Sequence, residues 1–474
     1  MLNGETIIQN PLRHMTIDQI YTGCLAQGAY YIESDGEAAI IDPLRSPAPY
    51  LERAAKDGAT IKYIFETHFH ADFVSGHLDL AVKTGATIVY GPGAKTDYEK
   101  YEAVDGEEFR VGKLTILALH TPGHTLESTT YLLLDENGTP KAIFSGDTLF
   151  IGDVGRPDLA QKKGALTAED LAGLLYESLR RKIMVLPDDV IVYPAHGAGS
   201  ACGKKMSRET QDTLGNQKAT NYALRADMTR EEFIKELTEG LLPPPAYFGE
   251  NVRMNKEGYE PFSEVMKSGN VALAPADFER VANAEHPLIL DVRSKEDFVT
   301  GFVPNSIFIG LDGSFAPWAG EMIPNLGQPI LLVTDPGRGA EAVERLSRVG
   351  FDNTLGYLDG GILAWKSYGG EVDTIDTIKG DAFGDALTAG KAQHIIDARK
   401  PTEYEGGHLS TATNLPLSEL NARMGEIDRD TTVYVHCGSG YRSTIATSLL
   451  KSRGYEKVVN VQEKVGEILA LEVV

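Results

Sequence analysis

Three fragments within residues 67–148 carry side chains able to hold a metal: Thr67-His68-Phe69-His70-Ala71-Asp72, Thr121-Pro122-Gly123-His124-Thr125 and Phe144-Ser145-Gly146-Asp147-Thr148. A fourth, Val192-Tyr193-Pro194-Ala195-His196-Gly197, repeats the arrangement. Imidazole and carboxylate donors of this kind can gather on one ion. A different chemistry stands near the other end of the chain, where Cys437 opens the run Cys437-Gly438-Ser439-Gly440-Tyr441-Arg442. A loop with two glycines can turn successive backbone N–H groups inward, and a helix following it adds positive potential, so a thiolate or persulfide is stabilised there. Four residues separate Cys437 from Arg442, one fewer than a cysteine phosphatase uses to wrap a tetrahedral phosphate, and the shorter loop suits a terminal sulfur.

These residues need elements to place them. Apolar runs over Ile61–Phe65, Leu114–Leu119 and Ala142–Phe144 read as strands, each followed or closed by one of the metal-capable fragments, so the ligands stand on strand-end loops. From about 17 to 200, short β-branched runs and Gly-rich turns alternate, with a helix expected over 166–181, which suggests a layered α/β domain. A charged amphipathic segment over Thr229–Leu242 runs into Pro243-Pro244-Pro245, which neither a helix nor a central strand can continue. Residues 243–270 are therefore expected to connect two parts. Beyond them the sequence repeats: Leu288-Ile289-Leu290-Asp291-Val292-Arg293 matches His394-Ile395-Ile396-Asp397-Ala398-Arg399, 106 positions later, and Ile330–Val333 before Asp335 matches Val433–Val435 before Cys437. Two copies of this size are two compact βα domains rather than a solenoid.

At 474 residues the chain is too long for one core and predicts about three domains. Its net charge of −23 repels phosphate and argues against nucleic-acid or membrane partners. Cys24, Cys202 and Cys437 lie too far apart for a disulfide framework, which fits a reducing cytoplasm. No apolar run approaches the roughly 20 residues that span a bilayer, and the polar start lacks a signal-peptide pattern.

The run His-x-His-x-Asp on a strand-end loop, followed by Gly123-His124 and then Asp147, resembles the metallo-β-lactamase superfamily over about 17–200, implying an αββα sandwich. Dinuclear hydrolases of that superfamily place a further histidine after the Asp, where this chain has Phe73. A phenyl ring has no lone pair for a metal, so a mononuclear centre is expected. Two imidazoles, one carboxylate and open positions form the donor set of non-haem Fe(II) oxygen chemistry, and within the superfamily the departure resembles the persulfide dioxygenases. That resemblance implies one Fe(II) on His68, His124 and Asp147, with His70, Asp72 and His196 orienting ligands and water. It makes Arg156, in Gly155-Arg156-Pro157, a substrate-binding candidate suited to a carboxylate or similar anion, with Tyr193 as a pocket residue. Cys202 precedes Lys204-Lys205, which favour its thiolate; the competing account is a small buried hydrophobe.

The Cys437 loop, with Asp397-Ala398-Arg399, Glu403-Tyr404 and Gly407-His408-Leu409, resembles the rhodanese family. It implies Cys437 as a persulfide-carrying nucleophile in the loop Gly438, Ser439, Gly440 and Tyr441, with Arg442 orienting the loop or an anionic donor. The first copy has Asp335 at the nucleophile position, and a carboxylate cannot carry a sulfane sulfur. The order resembles bacterial fusions of a persulfide dioxygenase (1–242), after the 243–270 connector, with an inactive rhodanese-like domain (271–372) and an active one (373–474). The expected partners are a thiol persulfide, dioxygen, and sulfite or thiosulfate; oligomeric state is left open. Two other readings are weighed: a glyoxalase II-like thioester hydrolase, and a C-terminal sulfur-carrier or docking module without turnover.

Overall fold

The structure is a computed structural model that describes residues 15–160 and 166–471. It divides into two compact units, residues 1–261 and 262–474.

The first unit pairs two six-stranded sheets. One runs through Thr16–Thr22, Gln27–Ser34, Glu37–Ile41, Thr60–Phe65, Thr87–Tyr90 and Tyr101–Glu102. The other orders Asp212–Thr213, Ile191–Pro194, Pro140–Gly146, Thr129–Leu134, Leu114–His120 and Glu108–Val111. Alternation of inward side chains brings Tyr30, Ile32, Phe65 and Val89 against Phe109, Ile116, Tyr131 and Phe144 in a shared core between the sheets, with aromatic rings tilted or edge-on, as the ring quadrupole prefers. Helices Ala48–Asp57 and His77–Thr84 cover the outer face of the first sheet through Tyr50, Ala54 and Leu80. Helices Ala168–Ser178 and Arg230–Thr238, each opened by a capping box, cover the second through Ala172, Leu175, Phe233 and Leu237. The layers are helix, sheet, sheet, helix, the expected αββα sandwich.

Direction places the ligands. Leu114–His120 and Pro140–Gly146 both run antiparallel to Thr129–Leu134, and Ile191–Pro194 runs parallel to Pro140–Gly146. Their C-terminal ends therefore share one edge of the sheet, and three metal-capable loops leave from it. Residues 243–270, expected as a connector, contain helices Phe248–Glu257 and Phe262–Gly269; Tyr247 and Phe248, just beyond the prolines, are buried.

The second unit holds two five-stranded sheets of the same order. In the first copy the order is Ala272–Leu273, Thr354–Leu358, Ile330–Val333, Leu288–Asp291, Ile307–Phe308; in the second it is Asp376–Ile378, Val458–Val461, Val433–His436, His394–Asp397, Ala412–Asn414. Neighbouring strands run parallel throughout. The repeated Asp-x-Arg is one buried ion pair built twice: Arg293 Nη2 donates to Asp291 at 2.6 Å and to the Gly301 carbonyl at 2.9 Å. Arg399 does the same with Asp397 at 2.6 Å and Gly407 at 2.7 Å. Among the described residues no helix is long and apolar enough to cross a membrane.

Candidate functional site

The donor atoms of His68, His124 and Asp147, all buried, lie within 4.8 Å of one another. Each imidazole has its second nitrogen fixed. The Thr67 hydroxyl donates to Asp42 Oδ2 at 2.8 Å, so at 2.9 Å from His68 Nδ1 it can only accept. His124 Nδ1 donates to the Arg156 carbonyl at 2.8 Å. Both Nε2 lone pairs are thereby turned inward. Asp147 accepts from His196 Nδ1 through Oδ1 at 2.8 Å, while its Oδ2, 3.4 Å from His124 Nε2 and 3.8 Å from His68 Nε2, is buried without a hydrogen bond. A buried carboxylate oxygen facing two imidazole lone pairs is costly unless a cation sits between them. The donor set fits a metal ion.

Electrostatics point the same way. Burial would raise the Asp147 carboxyl, but the imidazoles of His196, His68 and His124 outweigh it and hold it well below the usual range. Burial, then the neighbouring His70, keeps His68 neutral. His70 takes a different part: burial works to lower it, yet the Asp42 and Glu66 carboxylates at 3.1 and 3.3 Å raise it to about 10. His70 thus faces a buried carboxylate pair, and Phe73 stacks on its ring with centroids 4.3 Å apart.

Around this centre lie residues without a sequence signal of their own. Asp42, held at a φ of 50°, accepts from the Thr67 N–H at 2.7 Å. Asn255, in the expected connector, donates to the carbonyls of His70 and Phe73 at 2.9 and 2.8 Å and accepts from Ser75 N at 2.9 Å. Glu127 accepts from Phe69 N at 3.1 Å. A side chain at Gly155 would stand 2.0 Å from the Asp147 carbonyl oxygen and 3.0 Å from His124 Nδ1.

His196 Nε2 lies 2.8 Å from Asp72 Oδ2, and these two with Cys202 form a second group of donors within 4.8 Å of one another. Burial, then the carboxylates of Asp147 and Asp72, push the Cys202 thiol well above its ordinary value. The adjacent lysines do not counter this: Lys204 Nζ reaches the carbonyls of Glu236 and Glu239, and Lys205 Nζ the Glu236 carboxylate. Arg156 is buried and bidentate on Asp158 at 2.6 and 2.7 Å, with Nη1 on the Ala201 carbonyl at 3.2 Å and its N–H on the Cys202 carbonyl at 3.0 Å. It ties the Cys202 loop to His124. Tyr193 packs its ring on Phe144 and Tyr30, inside the inter-sheet core.

In the second unit, Cys437 is buried at the end of Val433–His436. Its Sγ accepts from Gly440 N at 3.2 Å and Ser443 N at 3.4 Å, the inward-turned amides expected of a sulfur nest. The helix behind it begins at Tyr441. Ser443 and Thr444 are braced on buried Asn460 at 2.8 and 2.9 Å. Arg442 forks onto Glu403 at 2.6 and 2.9 Å, and that bond holds the Glu403 carboxyl down to about 2. In the first copy Arg338 forks onto Asp312 and Glu341 instead.

The fold and donor set define a metal-binding metallo-β-lactamase-type unit followed by rhodanese-like domains. Residues 22–196 match the metallo-β-lactamase superfamily, and residues 274–368 and 381–464 match the rhodanese-like domain. The chain is 32% identical over 188 residues, 39% of its length and 68% of the other, to the probable hydroxyacylglutathione hydrolase glo2 of Schizosaccharomyces pombe. It is 31% identical over 213 residues, 44% of its length and 74% of the other, to the persulfide dioxygenase ETHE1 of Homo sapiens. A crystal structure of a metallo-β-lactamase from Staphylococcus aureus superposes with a TM-score of 0.66 at 33% identity, over 73% of this chain and 99% of that one. The chain belongs to the metallo-β-lactamase superfamily and carries rhodanese-like domains after that fold.

Proposed function

We propose that residues 1–242 form a persulfide dioxygenase and residues 373–474 an active rhodanese domain, with the intervening copy, 271–372, silent. The first converts a low-molecular-weight thiol persulfide, dioxygen and water to the thiol and sulfite. The second passes sulfur between Cys437 and sulfite, forming or consuming thiosulfate, in sulfide detoxification in the cytoplasm. The observation that carries the reading is the convergence of two imidazole nitrogens and one orphaned carboxylate oxygen, beside a position where Phe73 puts hydrocarbon. Fe(II) held by His68, His124 and Asp147 would supply the chemistry by which a sulfur substrate and dioxygen meet.

The chain's own residues prepare that meeting. Thr67 and the Arg156 carbonyl fix the tautomers of His68 and His124, and His196 occupies one Asp147 oxygen so that the other faces inward. His70 and Asp72 stand behind the donors, and the buried Phe73 ring keeps water off that side. On the substrate side Cys202 is an uncharged thiol wall and Arg156 the clasp of its loop, while Tyr193 lies behind them against the inter-sheet core. In the rhodanese domain, Gly440 and Ser443 amides hold the charge on Cys437 sulfur, and Arg442 keeps the loop closed over Glu403. Joining the two activities in one chain raises the effective concentration of sulfite at Cys437.

Iron-reconstituted protein given glutathione persulfide and oxygen tests both halves. Wild type yields thiosulfate, and Cys437→Ser accumulates sulfite. Absence of sulfite from the variant removes the dioxygenase; equal thiosulfate in both removes the coupling.

A second reading rests on the Asp72, His196 and Cys202 group. If it takes a metal, the unit is a two-metal thioester hydrolase of the glyoxalase II type, with the C-terminal copies as sulfur carrier or docking module.

A further inference from the structure

The sulfur-transfer loop is built by one rhodanese-like copy and walled by the other. The Tyr441 hydroxyl donates to the Gly310 carbonyl of the first copy at 2.8 Å. Its ring fills the space at Gly313, where an added Cβ would stand 2.5 Å from ring carbons. Phe308 N of the first copy donates to Ser448 Oγ on the helix behind the loop at 2.9 Å, and Gln462 Nε2 donates to the Lys295 carbonyl at 3.5 Å. Gly440, whose N–H points at Cys437 Sγ, has a φ of 88°. The space left by its missing side chain is bordered by Gln462 Cγ at 3.2 Å and Lys295 Cε at 3.3 Å.

Arg442, the cation within the loop, is already neutralised by its fork on Glu403. Lys295 is not so committed: its side chain is 25% exposed, and it pairs with its neighbour Glu296, which is 60% exposed. A pair between adjacent residues with its carboxylate in solvent is weak and yields readily to a better anion.

We propose that Lys295 of the silent copy binds the anionic sulfur donor or acceptor of Cys437, which makes that copy a specificity element. The inference rests on the sulfurtransferase reading of Cys437. In the step concerned, the Cys437 thiolate attacks the outer sulfur of thiosulfate. The S–S bond of thiosulfate breaks, its electron pair leaves on sulfite, and Cys437 becomes a persulfide. Cyanide then takes the outer sulfur as thiocyanate and restores the thiolate. Lys295 gives up no proton; it offsets the two charges of the arriving dianion.

The test is steady-state sulfur transfer to cyanide by the full chain, comparing thiosulfate, a dianion, with benzenethiosulfonate, a monoanion. Losing one charge-assisted contact corresponds to about tenfold in affinity. Lys295→Met raises KM for thiosulfate about tenfold and for benzenethiosulfonate about threefold, with kcat within about twofold, and Lys295→Arg restores both. Glu296→Gln, which frees the ammonium, lowers KM for thiosulfate. An unchanged KM in Lys295→Met, or an equal fall in kcat for both donors, overturns the inference while leaving Cys437 as the sulfur carrier. A wild-type chain that loads sulfur from neither donor removes the sulfurtransferase reading and this inference together.

Discussion

Asp147 is the residue on which the first site turns, because three imidazoles surround its carboxylate and one of its oxygens has no hydrogen-bond partner in the interior. Asp147→Asn removes the charge that balances a bound cation and leaves an amide N–H₂ or oxygen facing two imidazoles. Iron content after reconstitution falls below about a tenth of wild type, measured by metal analysis. His196→Asn, which removes the group holding Asp147 Oδ1, weakens iron binding about 10- to 100-fold while leaving the ligands in place. Phe73→His puts a nitrogen where the ring now stacks on His70, near Asp72 and His196. The expected outcome is a second metal ion per chain and loss of oxygen uptake. The cluster of His68, His124 and Asp147 was legible in sequence because its members sit on strand-end loops in a recognisable spacing. Asp42, Glu127 and Asn255 were not, because each acts on a partner far away in sequence, and a lone polar side chain after a strand or in a helix has no period or spacing to announce it. Of the two readings open for Cys202, the small buried thiol is favoured: the neighbouring lysines point their ammonium groups elsewhere, and burial beside two carboxylates raises the thiol pKa.

At the scale of elements, the sulfur loop is a strand end, a nest and a helix start held shut by one ion pair. Glu403 has its pKa lowered from 4.5 to about 2 by Arg442. Because the folded value lies below the unfolded one, the pair's contribution is present above pH about 4.5 and is lost as pH falls toward 2. Glu403→Gln therefore flattens the acid limb of the thermal-stability profile over that window, as followed by calorimetry. Its solvent exposure keeps the effect small. Gly440→Ala both forces a left-handed φ on alanine, costing about 1 kcal/mol, and pushes a methyl toward Lys295 and Gln462. Sulfur loading of Cys437 slows in that variant. The strand order came only with the fold, but several strands were readable because short apolar runs alternate with Gly-rich turns, and the 106-residue offset announced two similar domains. The segment 243–270 was not: three prolines gave a true break, yet short helices with a few buried aromatics follow at once, and their burial depends on surfaces that local sequence does not encode.

The whole molecule joins a metal-binding sandwich to a duplicated rhodanese-like fold, and carries a net charge of −23. In the duplicated unit the first copy packs against the Cys437 loop and the helix behind it through Tyr441 and Ser448, which gives the copy that has Asp335 in place of a cysteine a structural part. Core substitution separates the two units: Phe144→Ala, in the inter-sheet core, costs about 3–5 kcal/mol in the unfolding transition of the first unit and leaves thiosulfate-to-cyanide transfer unchanged. The proposed dioxygenase requires one ferrous ion held by His68, His124 and Asp147. Its most direct test is metal content and oxygen consumption measured on the same anaerobically reconstituted protein. The account predicts one iron per chain and one dioxygen consumed for each sulfite formed. Two zinc ions per chain with thioester hydrolysis that continues without oxygen contradicts it.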